Sequence, residues 1–430
     1  MDKQQRQAFY EQITVAQTAR DYNQVLIWAD ELLAEIEATA LDEDAVEMQK
    51  QLRRIKGDAF RLLRQYDEAA EAYDSYEALL EPESEDFVDL LWRRAVLYRN
   101  LHQLDDVRRV LHQAGQLAEK LGYDRGLMQV AREQSTLARF QGDVTTAIEY
   151  GQVAVRYAEK IGKPGDLSAI WTVMSLAYHD EGRLDKAIHG YKEALKFGRH
   201  TETSSVGVWL SNLGECYQDL FAMEEARQYH QEALDHVLSV MERTGQPMRA
   251  MGDIYRNLGL DLFYLGDVEG GRGHLAQAFK ALEVAEDVDV LMQTLYTSAF
   301  IDFKRGAVDE GYETAQRLFD LATEMKANWH LARAHYLLGL GQQARGEDDL
   351  AQASWQQAQF MAHDTSQQYL LWRVHAVLGD TAMNPALAGV HYQIAAETVR
   401  QIVAPIQDEG LRASFLGATE VKEVLDKAGG

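Results

Sequence analysis

Arginine, asparagine, histidine and carboxylate side chains carry whatever chemistry this sequence holds, because it offers only one cysteine. Cys216 can form no intrachain disulfide and no cysteine-based metal cage. With no basic residue beside it in sequence, it reads as a small buried hydrophobe rather than a reactive thiol. The 13 histidines are scattered one to a helix face, and His179, His230 and His335 read as packing or exposed positions rather than metal ligands. With 68 acidic residues, chance carboxylate pairs are guaranteed, and none stands out as a general acid and base. The patterns G-x-x-x-x-G-K-[ST], G-x-S-x-G and H-E-x-x-H are absent. Gly270-Gly271-Arg272-Gly273 falls in a turn and the opening of a helix, which argues against a phosphate loop. The expectation is no catalytic residue, no metal site and no cofactor.

Recognition is better supported. Residues seven apart on a helix share a face, since two turns take about 7.2 residues. Arg54 and Arg61 are so spaced, as are Arg132 and Arg139, Arg93 and Asn100, Asn212 and Asp219, and Asn257 and Tyr264. Arg99 and Arg256 fall on the same side of their helices. Arginine rather than lysine suits bidentate recognition of a carboxylate or phosphate. An asparagine amide presents a donor and an acceptor together, which matches one peptide unit without reading its side chain.

The overall charge narrows the partners. A formal net charge of −25 would repel phosphates over most of the surface, so neither nucleic acid nor an anionic membrane is expected to bind. The N-terminus, MDKQQRQAFYEQ, has no apolar run resembling a signal peptide, and no stretch of about 18 apolar residues occurs, so a cytoplasmic location is expected. Five prolines among 430 residues, with 46% apolar and 26% charged residues, suit a helix-rich soluble chain.

These side chains must be positioned by a repeated element, best seen in Trp209–Leu234, WLSNLGECYQDLFAMEEARQYHQEAL. Leu210, Leu213, Gly214 and Tyr217 share one face of a first helix, Leu220-Phe221-Ala222-Met223 breaks it, and Ala226, Tyr229, His230 and Ala233 line a second. Small Gly214 and Ala226 let the two helices approach closely, with large neighbours such as Tyr217 filling the space beside them. The small residue opening each second helix recurs at Ala69, Val107, Ala147, Ala187, Ala226, Gly271, Gly311, Ala351 and Ala388, with an earlier copy at Val25. The steps from Ala69 are 38, 40, 40, 39, 45, 40, 40 and 37 residues, a period that predicts a stacked helical array. The long step is assigned to an insertion around Arg243–Pro247. Turns such as QGDVTTA, EGRLDKA, LGDVEGG, RGAVDEG and RGEDDLA use glycine to end the first helix and acids to favour the second. Ten units are expected over residues 1–403. The first, about Gln4–Ala40, is an atypical cap, and 404–430 holds one further amphipathic helix, Gly410–Lys427, that covers the open end.

SLAYHDEGRLDKAIHGYKEAL at Ser175–Leu195 and NLGECYQDLFAMEEARQYHQEAL at Asn212–Leu234 resemble the tetratricopeptide repeat (TPR) consensus. The repeats exceed the usual 34 residues by about six, roughly three residues or ~4.5 Å per helix. Such long repeats resemble those of kinesin light chains, of the spindle adaptor LGN, and of bacterial peptide pheromone receptors and MalT-type regulators. The resemblance implies an all-α, right-handed superhelical solenoid whose first helices line a concave face. The N-L-G of SNLGECY and RNLGLDL occurs in kinesin-light-chain and LGN repeats, where the asparagine holds the backbone of an extended peptide, which implies that role for Asn212 and Asn257.

On that geometry Arg93, Arg99, Arg132, Arg139 and Arg256 form a basic stretch of groove for acidic side chains or a C-terminal carboxylate, with Tyr264 and Tyr296 as apolar anchors. The alternative is that these arginines pair with Asp58, Asp89, Glu133 or neighbours, and that each asparagine bonds the adjoining repeat. The functional expectation is a non-catalytic scaffold or adaptor that binds a protein or peptide. A second expectation is a ligand-switched bacterial regulator that binds a signalling peptide and controls a protein partner. Residues 1–40 are too short for a separate helix-turn-helix domain, which disfavours direct DNA binding. The specific site is expected between Asn212 and Tyr264.

Overall fold

The computed structural model describes residues 1, 3–18, 21–38, 42–198, 205–245, 250–285 and 287–429. Twenty-two helices and no strand occur among them. The fold is an all-α array of TPR-like hairpins. The first twenty helices follow one another in ten sequential pairs: α1–α2 (Lys3–Thr18, Tyr22–Glu37), α3–α4 (Glu43–Leu62, Tyr66–Glu77), α5–α6 (Glu85–Asn100, Leu104–Leu121), α7–α8 (Asp124–Phe140, Val144–Ile161) and α9–α10 (Pro164–Asp180, Leu184–Gly198). They continue with α11–α12 (Ser205–Asp219, Met223–Thr244), α13–α14 (Met251–Tyr264, Val268–Ala285), α15–α16 (Val288–Lys304, Val308–Glu324), α17–α18 (Asn328–Ala344, Asp348–Asp364) and α19–α20 (Gln368–Asp380, Pro385–Val403).

Each expected turn glycine takes the left-handed conformation that lets a helix end without Cβ strain. Gly142, Gly182, Gly266, Gly306 and Gly346 have φ between 74° and 93°. Small residues open the second helices where the repeat period places them, and Val25, Ala69, Ala147, Ala187, Ala226 and Ala351 are buried. Ala388 is only half-buried. Gly214 shows why close approach is needed: a Cβ there would lie 2.4 Å from His230 Nε2. The filler of that space is therefore His230 of the second helix. The long 45-residue step is partly helical, since α12 runs to Thr244 before the left-handed Gly245. Residues 246–249, which include Pro247 of the expected insertion, lie outside the described residues, as do residues 39–41 at the end of the first unit.

The chain divides into two compact units, Met1–Ala177 with Lys196–Thr203, and Tyr178–Leu195 with Ser204–Gly430. The first is built from α1–α8 and most of α9, with apolar layers such as Ile13, Leu32, Leu52 and Ile55 between successive hairpins. The second centres on a continuous core from Leu275 to Leu378, in which Trp355, Leu337 and Phe300 are buried.

The C-terminal segment differs from the expected single capping helix. Ala418 is extended (φ −61°, ψ 137°) and splits it into α21 (Glu409–Gly417) and α22 (Thr419–Gly429). Instead of covering the open end alone, it also meets the other end of the second unit, where the Gln407 amide donates to Asp185 Oδ2 at 2.9 Å. Phe415 is fully buried against Phe221 and Tyr369.

Candidate functional site

In the first unit the expected basic groove is neutralised by carboxylates from the same and neighbouring repeats. Arg93 is only 6% exposed; its Nε donates to Asp58 Oδ2 at 3.1 Å and its Nη1 to the Asp89 carbonyl at 2.8 Å. Its guanidinium also lies 4.2 Å over the Trp92 ring. Arg132 donates to Glu133 Oε1 at 3.0 Å, and Arg99 reaches Glu133 Oε2 at 3.5 Å. Arg139 is half-buried. The paired alternative therefore describes Arg93, Arg99 and Arg132. A guanidinium desolvated beside its own carboxylate gains little from a second one, so these residues do not form an open row of donors.

The second unit holds a cleft of about 290 Å³ lined by the first helices α11, α13, α15, α17 and α19, together with His179 of α9 and Met223 of α12. Its aromatic wall joins Tyr264, Tyr296, Phe300, Trp329 and Tyr369. Tyr296 stacks on Phe300 with centroids 6.3 Å apart, and Tyr264 tilts against the same ring at 6.4 Å. Phe221 closes one edge from the α11–α12 turn and meets Tyr264 edge-on at 5.6 Å. It does so at φ 55°, a backbone region that costs a bulky residue of order 1 kcal/mol or more.

Two ionic layers flank this wall. On the α11 side, Glu215 accepts from Arg256 Nη2 and from Asn257 Nδ2, each at 3.0 Å. Arg256 also reaches Asp253 Oδ1 at 2.6 Å. Burial and the nearby Asp253 charge push the Glu215 carboxyl up, with Arg256 and Asn257 opposing. Asp219 lies 3.0 Å from His179 Nε2. Burial pulls His179 down, but the adjoining Cys216 sulfur, and then the hydrogen bond to Asp219, outweigh it and raise the imidazole well above its usual value.

The α17–α19 side is basic. Arg333 lies 3.6 Å over the Trp329 ring and 4.8 Å over Tyr296, while its Nε donates to Gln367 Oε1 at 3.2 Å. Gln367 is itself fixed by the Trp329 carbonyl at 2.9 Å and Thr365 Oγ1 at 2.7 Å. Arg333 has no carboxylate partner among the described residues. Arg373 donates to the Tyr369 carbonyl at 2.9 Å and lies 3.6 Å from Glu420 Oε2. Its Nε and the Tyr369 hydroxyl are buried without a hydrogen-bond partner.

Cys216 Sγ is 3.7 Å from His179 Nδ1, which completes a thiol–imidazole–carboxylate row with Asp219. Its members lie on two different helices, α9 and α11, so no sequence motif marks it. The thiol is 0% exposed, and burial pushes its pKa up, so it presents no nucleophile to a bound molecule. Among the described residues no group of three His, Cys, Asp or Glu side chains is placed to hold a metal ion, and no helix is long and apolar enough to cross a membrane.

Of the expected contact residues, Arg256, Tyr264 and Tyr296 line the cleft. Asn257 requires a correction. It is 0% exposed, its amide nitrogen is spent on Glu215 and Ser211, and it sits behind Glu215 rather than facing the opening. Asn212 is half-buried on α11, one turn before Glu215, and its side chain makes no hydrogen bond among the described residues. Arg333, Arg373, Trp329, Tyr369 and His179 were missed. A usable signal was present in the repeat register: Asp253, Gln293, Arg333 and Arg373 are successively 40 residues apart, as are Trp329 and Tyr369. Same-helix spacing does not reveal such columns.

Residues 166–239 match the family model of the tetratricopeptide repeat. No curated protein matches the chain in sequence. The apo form of the quorum sensor NprR from B. thuringiensis superposes with a TM-score of 0.58 at 14% identity, over 83% of this chain and 98% of that one. A Rap protein complexed with Competence and Sporulation Factor gives 0.50 at 13% identity, over 100% and 99%. Aspartyl phosphate phosphatase F from Bacillus subtilis gives 0.52 at 13% identity, over 84% and 94%. At these identities the likeness is one of fold.

Proposed function

We propose a non-catalytic binding module, built of tetratricopeptide-like repeats, that holds an extended peptide or protein segment in the aromatic cleft of its second unit. The observation that carries this reading is the composition of the cleft. Five first helices bring an aromatic wall together with an acidic edge (Glu215, Asp219) and a basic edge (Arg333, Arg373). Peptides present that combination of alternating apolar side chains and charges of both signs. In this reading Tyr264 and Tyr296 are the apolar anchors, and Asn212, whose amide is unspent, holds peptide backbone. Arginines of the cleft receive acidic side chains or a free carboxylate.

Capture of partners from a lysate of the native cell, followed by the same capture with a folded Tyr264→Ala/Tyr296→Ala variant, tests this. Loss of one captured species supports the cleft as its binding site, and an identical set of captured species overturns it.

A second reading, in which a bound signalling peptide switches the chain's hold on a protein partner, is favoured by the neighbours named as a quorum sensor and as a Rap protein with Competence and Sporulation Factor. Small-angle scattering with and without the captured peptide separates the two. A changed radius of gyration supports switching, and an unchanged one leaves the scaffold reading.

A further inference from the structure

We propose that the C-terminal segment, α21 and α22 with the joint before them, is an internal strap that closes the cleft. Docked, it holds Phe221 and Tyr369 together across one edge, and it leaves its seat when an extended peptide enters. The inference rests on the peptide-binding reading above and adds what controls access to that site.

The first reason is the reach of the segment. In a stacked array each hairpin contacts its neighbours. Residues 405–429 instead join elements far apart in that order. The Gln407 amide donates to Asp185 of α10, and Phe415 packs on Phe221 of the α11–α12 turn and on Tyr369 of α19. Glu420 pairs with Lys304 of α15 and Arg373 of α19, and Lys427 pairs with Asp380 at the end of α19. The segment thus ties the two ends of the cleft to each other, which stacking of successive hairpins does not do.

The second reason is that three side chains under the strap, Phe221, Tyr369 and Arg373, also line the cleft. Phe221 stands where the turns of five other hairpins place Gly142, Gly182, Gly266, Gly306 and Gly346 in the same left-handed conformation. A phenylalanine is strained there. Its ring contacts offset the strain: Phe415 at 5.7 Å, Tyr264 at 5.6 Å and the Arg373 guanidinium at 5.8 Å. One edge of the cleft is therefore made by the α11–α12 turn, α19 and the strap together, and it opens when Phe415 withdraws.

The third reason is size. With the strap docked, the cleft measures about 290 Å³. Pockets that hold a small molecule run from roughly 300 to 1,000 Å³. An extended peptide of six residues is about 20 Å long and does not fit the closed space. Opening the Phe221–Tyr369 edge lengthens the cleft into the seat that Phe415 fills.

The fourth reason is that the strap is lightly held. Its fully buried residues are Ile406, Phe415, Val421 and Val424, and Ala418 divides it into two short helices. Its ion pairs to Lys304 and Asp380 lie at partly exposed side chains. An element with few buried apolar contacts opens without unfolding the rest. The joint at residues 404–408 keeps a released strap attached to α20.

The probe is a fluorescein-labelled synthetic peptide of residues 405–429, titrated into the full chain by fluorescence anisotropy. In the wild type the seat is filled by the chain's own strap. A Phe415→Ala/Glu420→Gln chain should take up the added peptide at least tenfold more tightly, and a peptide carrying Phe415→Ala should bind neither chain. Should loss of Phe415 unfold the unit, Glu420→Gln/Lys427→Ala leaves every buried strap residue in place and should raise uptake several-fold. Access to the cleft is read from Thr297→Cys, whose parent residue lines the cleft at 3% exposure. The buried Cys216 gives the background. Modification of Thr297→Cys by fluorescein maleimide should be at least tenfold faster in the loosened chain and slow again once unlabelled peptide fills the seat. A folded, loosened chain that takes up no added peptide overturns the strap, as does equal uptake by the wild type. Uptake without a change in modification rate overturns the closure. Neither readout uses Tyr264→Ala/Tyr296→Ala, so peptide binding in the cleft is scored separately and stands if the strap fails.

Discussion

Glu420 of the last helix joins Arg373 of α19 to Lys304 of α15. One carboxylate oxygen is 3.6 Å from Arg373 Nε and the other 2.8 Å from Lys304 Nζ. Burial opposes ionisation of this carboxyl, but the two cations prevail and hold it below its usual range. The C-terminal segment thereby fastens the cleft side of the second unit, with Phe415 as its apolar pin. Replacing Phe415 by alanine removes a fully buried ring and should destabilise the second unit by about 3 kcal/mol, read as a shifted urea midpoint. An unchanged midpoint would show that the segment is not docked as described.

The two asparagines are expected to separate in their effects. Asn257→Ala removes the amide that donates to Glu215 at 3.0 Å and should cost stability of about 1–2 kcal/mol. Asn212→Ala removes no hydrogen bond among the described residues, so thermal unfolding should be nearly unchanged while affinity for the captured peptide falls. Matched unfolding and titration experiments on both variants check this. Equal destabilisation by the two substitutions would contradict their assigned places.

Helix glycines give an opposed pair. At Gly214 a Cβ would meet His230 Nε2 at 2.4 Å, and His230 is locked by Asp261 at 2.5 Å and by the Ser211 carbonyl at 3.1 Å. Gly214→Ala should therefore destabilise by about 1–3 kcal/mol. At Gly273, exposed within α14, nothing lies within 4 Å of a built Cβ, so Gly273→Ala should stabilise by about 0.5–1 kcal/mol. Chemical denaturation distinguishes the signs.

The same contrast shows what could be read beforehand. The hairpins were legible because each repeat must solve one local problem, the close approach of two helices. Its solution leaves a fixed mark at residues such as Ala69, Ala147 and Ala226, and at the left-handed Gly182 and Gly306. The site was less legible because its contacts cross repeats. Seven-residue spacing put Arg93 and Arg132 on inner faces, yet it could not tell that Asp58 and Glu133 would meet them. Asn257 shared its pattern with Asn212, and only the neighbouring Glu215 and Ser211 decide that one is spent and the other free. Arg333 and Arg373 lay in a 40-residue column, visible only when the repeats are aligned against one another. Phe221 looked like a plain turn residue, because its role depends on Phe415 arriving from the far end of the chain.

Acid should weaken the last hairpin. His375 Nδ1 lies 3.0 Å from His391 Nδ1, and burial, then the His391 charge, lowers His375 to about 4 from an ordinary value of 6.5. The unfolded chain therefore binds more protons than the folded one in that interval. The contribution is fully present above about pH 6.5 and is lost as the pH falls towards 4. Stability measured over that range should decline less steeply in a His375→Gln variant than in the wild type. Parallel slopes would show that the pair does not titrate as described.

The central claim is that a peptide is held in the second unit's aromatic cleft and not along the first unit's arginines. Titration calorimetry of the captured peptide against the wild type, Tyr264→Ala/Tyr296→Ala and Arg132→Gln tests it most directly. The predicted result is a loss of more than tenfold in affinity for the cleft variant, with Arg132→Gln close to the wild type. Full affinity in the cleft variant together with a large loss in Arg132→Gln would contradict the account.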